Sequence, residues 1–206
     1  MRSLDLSADP ACPWSWLAVR WLTAVAPERE LRLEFRSYSL WIRDGDRQLD
    51  GVPEFVRALA VAASKESLRV LRVFEALRAA GRSGAVEPLY LAWGSRVFTP
   101  GPPQPPTTAT LVAALADAGL DDSWLAAADD ADWDETIRSS TNAATTPVIP
   151  TLIENGTVLF HGAVLAAPVT AAEGLALWDA IDALSDVPSF IALSPVRPPL
   201  PSFAAV

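Results

Sequence analysis

One residue type in this chain offers strong nucleophilic chemistry, and it occurs once: Cys12. It stands in Asp9-Pro10-Ala11-Cys12-Pro13-Trp14-Ser15-Trp16, directly after a short alternating run and directly before a helical pattern. Pro13 suits the first turn of a helix, where its missing N–H costs little. The free amides and the dipole at that helix end favour an anion. A thiolate there is stabilised, and cysteine pKa values in such settings fall to roughly 3.5–7.5. The competing reading is a small buried hydrophobe, the usual role of a free cysteine. The position between a strand and a proline-started helix favours the reactive reading. Ser15 is placed to hydrogen-bond a thiolate, either that of Cys12 or that of a bound thiol cofactor. Its plainer role is ordinary first-turn helix chemistry.

Other chemistry-bearing residues are few. His161 is the only histidine. It is expected at the end of a hairpin strand, on the sheet edge that also carries Pro147 and Cys12, as a base or charge partner. The alternative is a solvent-facing loop histidine. Thr145-Thr146-Pro147-Val148-Ile149-Pro150 precedes that hairpin, and an X-Pro bond here is either a deliberate cis bond or simply a loop leading into a strand. Trp14, Trp16, Trp93 and Phe98 are candidates to line an apolar pocket around the thiol. Trp21, Trp124, Trp133 and Trp178 read as core. Asp129, Asp130, Asp132 and Asp134 read as a solvated turn and helix start, with a divalent cation as the remote alternative. With one Cys and one His, no structural zinc site is expected.

The elements that must position these residues follow from periodicity. Ser3 to Ala8 alternates as a strand, and Trp14, Leu17, Ala18, Trp21, Leu22 and Val25 fit helical spacing until Pro27 stops it. Leu31 to Tyr38 alternates as a second strand. From Pro53 to Ala143 the pattern is helical. Val70, Val73, Phe74 and Leu77 share a face, and Gly81 is a natural stop. A proline-rich connection occupies 99–106, a semi-rigid link or a lid. Thr107 or Thr108 caps the next helix, which runs to Gly119. Ser123 is expected to cap a short helix, and another covers Trp133 to Ala143. Strand signals return at Val148 to Ile153. Asn155-Gly156 is a strong hairpin turn, and Thr157 to Phe160 is the returning strand. Thr170-Ala171-Ala172-Glu173 is a capping box opening a final helix to about Leu184. The prolines beyond it suggest an extended tail. The reading is an α/β thioredoxin fold with an inserted α-helical domain. Residues 1–52 and 144–184 form the thioredoxin-fold domain, 53–143 the helical insert and 185–206 the tail.

Composition bounds the partners. The 206 residues are 50% hydrophobic and 20% charged, with a formal net charge of −9. An acidic balance argues against binding a phosphate backbone, so no nucleic acid is expected. No run reaches the roughly 20 apolar residues that span a bilayer, and Met1 to Asp5 shows no signal-peptide core; no membrane and a cytoplasmic location are expected. Many Ala and Arg with a single Lys hint at a high-GC bacterial genome.

The pattern Asp9-Pro10-x-Cys12-Pro13-Trp14-x-Trp16, then Thr146-Pro147-Val148-Ile149, Gly162-x-Val164-Leu165 and Leu177-Trp178-Asp179-Ala180, resembles the DsbA-like mycothiol-dependent nitroreductase family of actinobacteria. The resemblance spans the full length and includes Glu87-Pro88-Leu89-Tyr90 and Ala116-Asp117-Ala118-Gly119-Leu120 in the insert. It implies a thioredoxin fold, Pro147 in cis beside Cys12, and a low-molecular-weight thiol cofactor, mycothiol or similar. The family motif usually reads Cys-Pro-Trp-Cys; here Ser15 takes the last place. Without a second thiol, Cys12 has no internal disulfide partner, which points to monothiol exchange. The segment before Thr146 is shorter than the family's, and Phe98 stands where a more polar residue is expected.

Three functions are therefore compared. The first is a thiol-dependent oxidoreductase acting on a nitroaromatic or quinone-like compound, with Cys12, Ser15 and Pro147 catalytic. Its substrate-binding residues are Pro13, Trp14, Trp16, Trp93, Phe98, Thr146 and His161. No Gly-rich nucleotide loop suggests flavin or nicotinamide. The second is a thiol-cofactor transferase or isomerase centred on Ser15 and acting on an aromatic metabolite. The third is a redox-inactive binding protein. The partners expected are a small aromatic or thiol substrate, with a homodimer as the assembly considered.

Overall fold

A computed structural model describes residues 1–45, 53–99, 104–187 and 203. The described chain forms two compact units. One holds Met1–Ser7, Pro13–Arg36 and the chain from Thr145 onward; the other holds Ala8–Cys12 and Ser37–Ala144.

The first unit is built on a four-stranded sheet in the order β2-β1-β3-β4. These strands are β1 (Arg2–Ala8), β2 (Leu31–Ser37), β3 (Thr151–Glu154) and β4 (Thr157–His161). Leu4 and Leu6 alternate into the core with no exposure. The alternation is the strand's own period of two. Helix α1 (Pro13–Val25) connects β1 to β2, and α8 (Ala171–Ser185) closes the unit. β3 runs antiparallel to both β1 and β4, pairing Ser7 with Thr151 and Thr151 with His161. Asn155 and Gly156 both have positive φ (48° and 81°), the backbone that a two-residue hairpin turn requires. Thr170 and Glu173 form the capping box of α8. Gly174 lets α8 approach α1: a Cβ there would lie 3.0 Å from the Trp21 ring, whose indole N–H donates to the Gly174 carbonyl at 2.8 Å.

Two expectations about the segment before β3 are corrected. The strand begins at Thr151, not Val148. Pro147 and Pro150 bring no N–H, and the Val148 groups are used locally: its N–H donates to Thr146 Oγ1 at 3.1 Å, and its carbonyl accepts from the Thr146 and Thr151 hydroxyls. A side-chain-bonded turn replaces the first half of the expected strand. The cis bond among the described residues is Ile149–Pro150, not Thr146–Pro147. The Thr146 hydroxyl bridges across Pro147, and Pro150 is the proline that directly precedes the strand.

The second unit is helical: α2 (Leu40–Asp44), α3 (Glu54–Ala79), α4 (Val86–Val97), α5 (Thr108–Asp117), α6 (Leu125–Asp129) and α7 (Asp134–Asn142). Val70, Val73, Phe74 and Leu77 of α3 are buried, as are Leu89, Tyr90 and Trp93 of α4 and Leu111, Ala114 and Leu115 of α5. Thr107 caps α5, and Gly81 and Gly119 take the left-handed conformation after their helices. Asp121, rather than Ser123, caps the short turn before α6, because its carboxylate accepts the Ser123 N–H at 3.0 Å. The acidic stretch is tied to arginines of α3: Asp129 meets Arg69 at 2.9 Å, and Asp134 takes both arms of Arg72. Among the described residues no group of three or more His, Cys, Asp or Glu could hold a metal ion. Nor is any described helix long and apolar enough to cross a membrane. Residues 100–103 of the proline-rich connection and 188–202 of the tail lie outside the described residues.

Candidate active site

The turn that delivers Cys12 is held by hydrogen bonds from its own backbone and from three helices. Asp9-Pro10-Ala11-Cys12 closes with the Cys12 N–H donating to the Asp9 carbonyl at 2.9 Å. Asp at the first position and Pro at the second are what such a turn prefers. The Asp9 carboxylate folds back on its own turn, accepting the Ala11 N–H at 2.7 Å. It also reaches two helices. The Leu40 N–H, in the first turn of α2, donates to it at 2.6 Å, and the Ser67 hydroxyl of α3 donates at 2.7 Å. Helix α4 holds the turn's carbonyls: the Tyr90 hydroxyl donates to Asp9 O at 3.1 Å, and the Trp93 indole N–H donates to Pro10 O at 3.2 Å. Five side-chain bonds thus fix a four-residue turn.

Burial sets the electrostatics. Asp9 is fully buried, and this loss of solvent raises its carboxyl above the ordinary value. The bonds from Ala11, Leu40 and Ser67 and the charge of Arg43 act the other way. Tyr90 is also buried, and desolvation followed by the charges of Cys12 and Asp9 pushes its phenol well above 10. Tyr90 therefore stays a hydrogen-bond donor at any ordinary pH. Cys12 immediately precedes α1, and the first turn of that helix contains no acidic residue to compete for its amides.

The residues expected at the site fall in separate places. Pro13, Trp14, Ser15 and Trp16 make up the first turn of α1. Cys12 is 5% exposed and Ser15 not at all. Trp14 is half-buried, and its indole N–H is buried without a hydrogen-bond partner among the described residues. Trp16 is buried with the Arg20 guanidinium over its ring at 5.6 Å. Trp93 is completely buried and acts on the turn through Pro10. Phe98 caps α4 and is half-buried. Thr146 organises the turn before β3, and Pro147 in that turn is exposed. His161 is exposed at the end of β4, opposite Thr151, with the Gly162 N–H on the Pro150 carbonyl at 2.8 Å. Within the first unit, then, His161 and the Pro150 turn share one end of the sheet.

Sequence reasoning passed over Asp9, Ser67 and Tyr90 as site residues. The Asp-Pro turn signature was a usable signal for Asp9. Ser67 and Tyr90 lie 58 and 81 residues from it, and no local pattern announces such contacts.

A four-stranded sheet in the order β2-β1-β3-β4, with a thiol before its first helix, defines a thioredoxin-fold protein of the DsbA kind. Solved structures share this fold. A probable DsbA oxidoreductase, SCO1869 from Streptomyces coelicolor, matches at 17% identity and a TM-score of 0.59, over 98% of this chain and 100% of that one. A 2-hydroxychromene-2-carboxylate isomerase matches at 14% identity and 0.59, over 89% and 96%. The cytosolic disulfide reductase DsbM from Pseudomonas aeruginosa matches at 17% identity and 0.51, over 89% and 97%. The family model described as Rv2466c-like, mycothiol-dependent nitroreductase Rv2466c, matches residues 11–194. The chain belongs to that family of thiol-dependent enzymes.

Proposed function

We propose that the chain is a thiol-dependent oxidoreductase that works through Cys12 in monothiol exchange with a low-molecular-weight thiol of the mycothiol type. The observation that carries this is the Cys12 turn: five side-chain bonds present a single thiol at the start of α1, in a chain of a mycothiol-dependent family. The Cys12 thiolate attacks a disulfide sulfur, forms a mixed disulfide and releases one thiolate. A second thiol attacks the mixed disulfide, which frees Cys12 and forms a disulfide of the small thiol. Run toward an organic acceptor, two thiols become one disulfide and supply two electrons and two protons. A nitro group takes these to give a nitroso group and water; a quinone takes them to give a hydroquinone. No second cysteine exists in the chain, so the small thiol must perform the release. Pro13, Trp14, Trp16, Trp93, Phe98, Thr146 and His161 are proposed as the residues that the acceptor meets, with Pro147 and Ser15 acting beside Cys12 in the reaction. Soluble, cytoplasmic action belongs to this same reading.

A transferase or isomerase reading would put Ser15 in the leading role. The greater exposure of Cys12 over Ser15 favours the thiol as the group a cofactor meets first. The test is the alkylation rate of Cys12 against pH with intact mass, followed by turnover of Cys12→Ser and Ser15→Ala with a small thiol and a nitroaromatic. An apparent pKa well below about 8.5 and loss of turnover in Cys12→Ser are expected. Retained turnover in Cys12→Ser with loss in Ser15→Ala overturns the reading in favour of the serine.

A further inference from the structure

Two helices grip the Asp9 turn, and beside each grip stands a side chain that the turn itself does not use. On α2 the Leu40 N–H holds the Asp9 carboxylate, and Trp41 is the next residue. On α3 the Ser67 hydroxyl holds the same carboxylate, and Lys65 stands two residues before it. The two side chains meet: Lys65 Nζ lies over the Trp41 ring, 5.0 Å from its centroid. The pair therefore borders the turn that delivers Cys12, and all of these residues belong to the second unit.

Both members are open to a guest. Leu40, Trp41 and Ile42 are consecutive apolar residues of α2, and all three are only half-buried. Lys65 is exposed and makes no ion pair among the described residues. The positions one helical turn away from it, Val61, Ala62, Leu68 and Arg69, bring no carboxylate. Nearby arginines are already committed: Arg43 to Tyr38 and Asp44, Arg69 to Glu66 and Asp129, Arg72 to Asp134. An exposed cation–π contact is worth about 0.5–1 kcal/mol, so a planar guest displaces the flexible lysine from the ring face at small cost.

We propose that Trp41 and Lys65 form the subsite that selects the acceptor; this rests on the oxidoreductase reading above. An electron-poor planar ring, a nitroaromatic or a quinone, stacks on the Trp41 indole, and the Lys65 ammonium donates to its nitro or carbonyl oxygen. The indole face is electron-rich, and a ring depleted by nitro or carbonyl groups complements it. Those oxygens carry partial negative charge, which a three-donor ammonium without a counter-ion suits. The pair determines specificity and takes no part in the thiol exchange.

Lys65 is the only lysine, so reductive methylation with isotopically labelled methyl groups gives one lysine signal and keeps the charge. With no small thiol present, that signal should move saturably as para-nitroacetophenone is added, and Trp41→Ala should abolish the movement. In turnover with a small thiol, Trp41→Ala and Lys65→Gln should each raise the KM for this acceptor about three- to tenfold. The kcat, the KM for the thiol and the alkylation rate of Cys12 should stay as in the natural chain, because only acceptor binding is lost. A lysine signal that does not move, or that moves equally in Trp41→Ala, overturns the proposal whether or not the chain turns over. If Trp41→Ala fails to fold, Lys65→Gln decides from its exposed position, and an unchanged acceptor KM overturns the proposal. A saturable, Trp41-dependent movement in a chain without turnover upholds the subsite and sinks the oxidoreductase reading instead.

Discussion

Two carboxylates in this molecule are each held by several hydrogen bonds, and their environments push them in opposite directions. Glu154 on β3 takes both arms of Arg2, at 2.7 and 2.6 Å, in a partly wet cluster with Asp182 and with Arg2 over the Trp178 ring. Its bond to Arg2 dominates, and its carboxyl lies below the ordinary value. Asp9 receives three donors, none of them charged, in a fully buried place. There desolvation dominates, and the carboxyl lies above the ordinary value. Hydrogen-bond number alone therefore does not decide the state of a carboxyl; the charge of its partners and the water left around it do. The wet cluster ties β1, β3 and α8 together, and the dry one fixes the turn that carries Cys12.

The difference is largest when each carboxylate is deleted. Asp9→Ala takes the acceptor away from the Ala11 and Leu40 amides and leaves the Ser67 hydroxyl only the Ser64 carbonyl. Each buried unsatisfied group costs about 1–3 kcal/mol, so a loss on the order of 3 kcal/mol or more is expected from urea unfolding. Glu154→Ala breaks a partly exposed pair and should cost under about 1 kcal/mol, a loss that shrinks further in added salt. Equal losses would erase the contrast between the dry and wet carboxylates.

A smaller effect separates the phenol from the carboxyl within the dry region. Tyr90→Phe removes the buried bond to the Asp9 carbonyl, and that loss should cost about 1 kcal/mol at neutral pH. It should also change the alkaline behaviour. The folded value of Tyr90 is raised above its unfolded value of about 10, so its contribution is full below that pH and is lost as pH rises beyond it. The natural chain should lose stability above about pH 10, and Tyr90→Phe should lose less there. Unfolding midpoints on both sides of that pH measure it.

The sequence made some of this contrast readable and hid the rest for a physical reason. Local chemistry was legible. The Thr170–Glu173 box, the Asn155-Gly156 turn, the Thr107 cap and the Pro13 helix start each depend on residues within a few positions. The buried face of α3 followed from its spacing. Contacts that decide the site span 58 to 81 residues and join a serine, a tyrosine and an aspartate that carry no shared motif. The beginning of β3 was misplaced because the run from Val148 to Ile153 looks like a strand. Whether backbone or threonine hydroxyls satisfy Val148 is settled only by the surrounding fold.

The smallest effect tests the wet side of the comparison, and it has the opposite pH sign. Glu154 is lowered in the folded state, so its contribution is present above its unfolded value of about 4.5 and fades as pH falls through the folded value. Asp9, raised in the folded state, contributes most when protonated, and its contribution falls as pH rises from the unfolded value through the folded one. Between about pH 3 and 6 the two therefore oppose each other. Replacing Glu154 by Gln removes one of them and leaves the Asp9 slope alone. Chemical unfolding of Glu154→Gln over that range should show a stability that rises less with pH than that of the natural chain. The gap should be at most about 1 kcal/mol at the upper end and vanish at the lower one. A gap that instead widens as pH falls would mean that Arg2 does not favour the Glu154 carboxylate, and the opposition between the two regions would be lost.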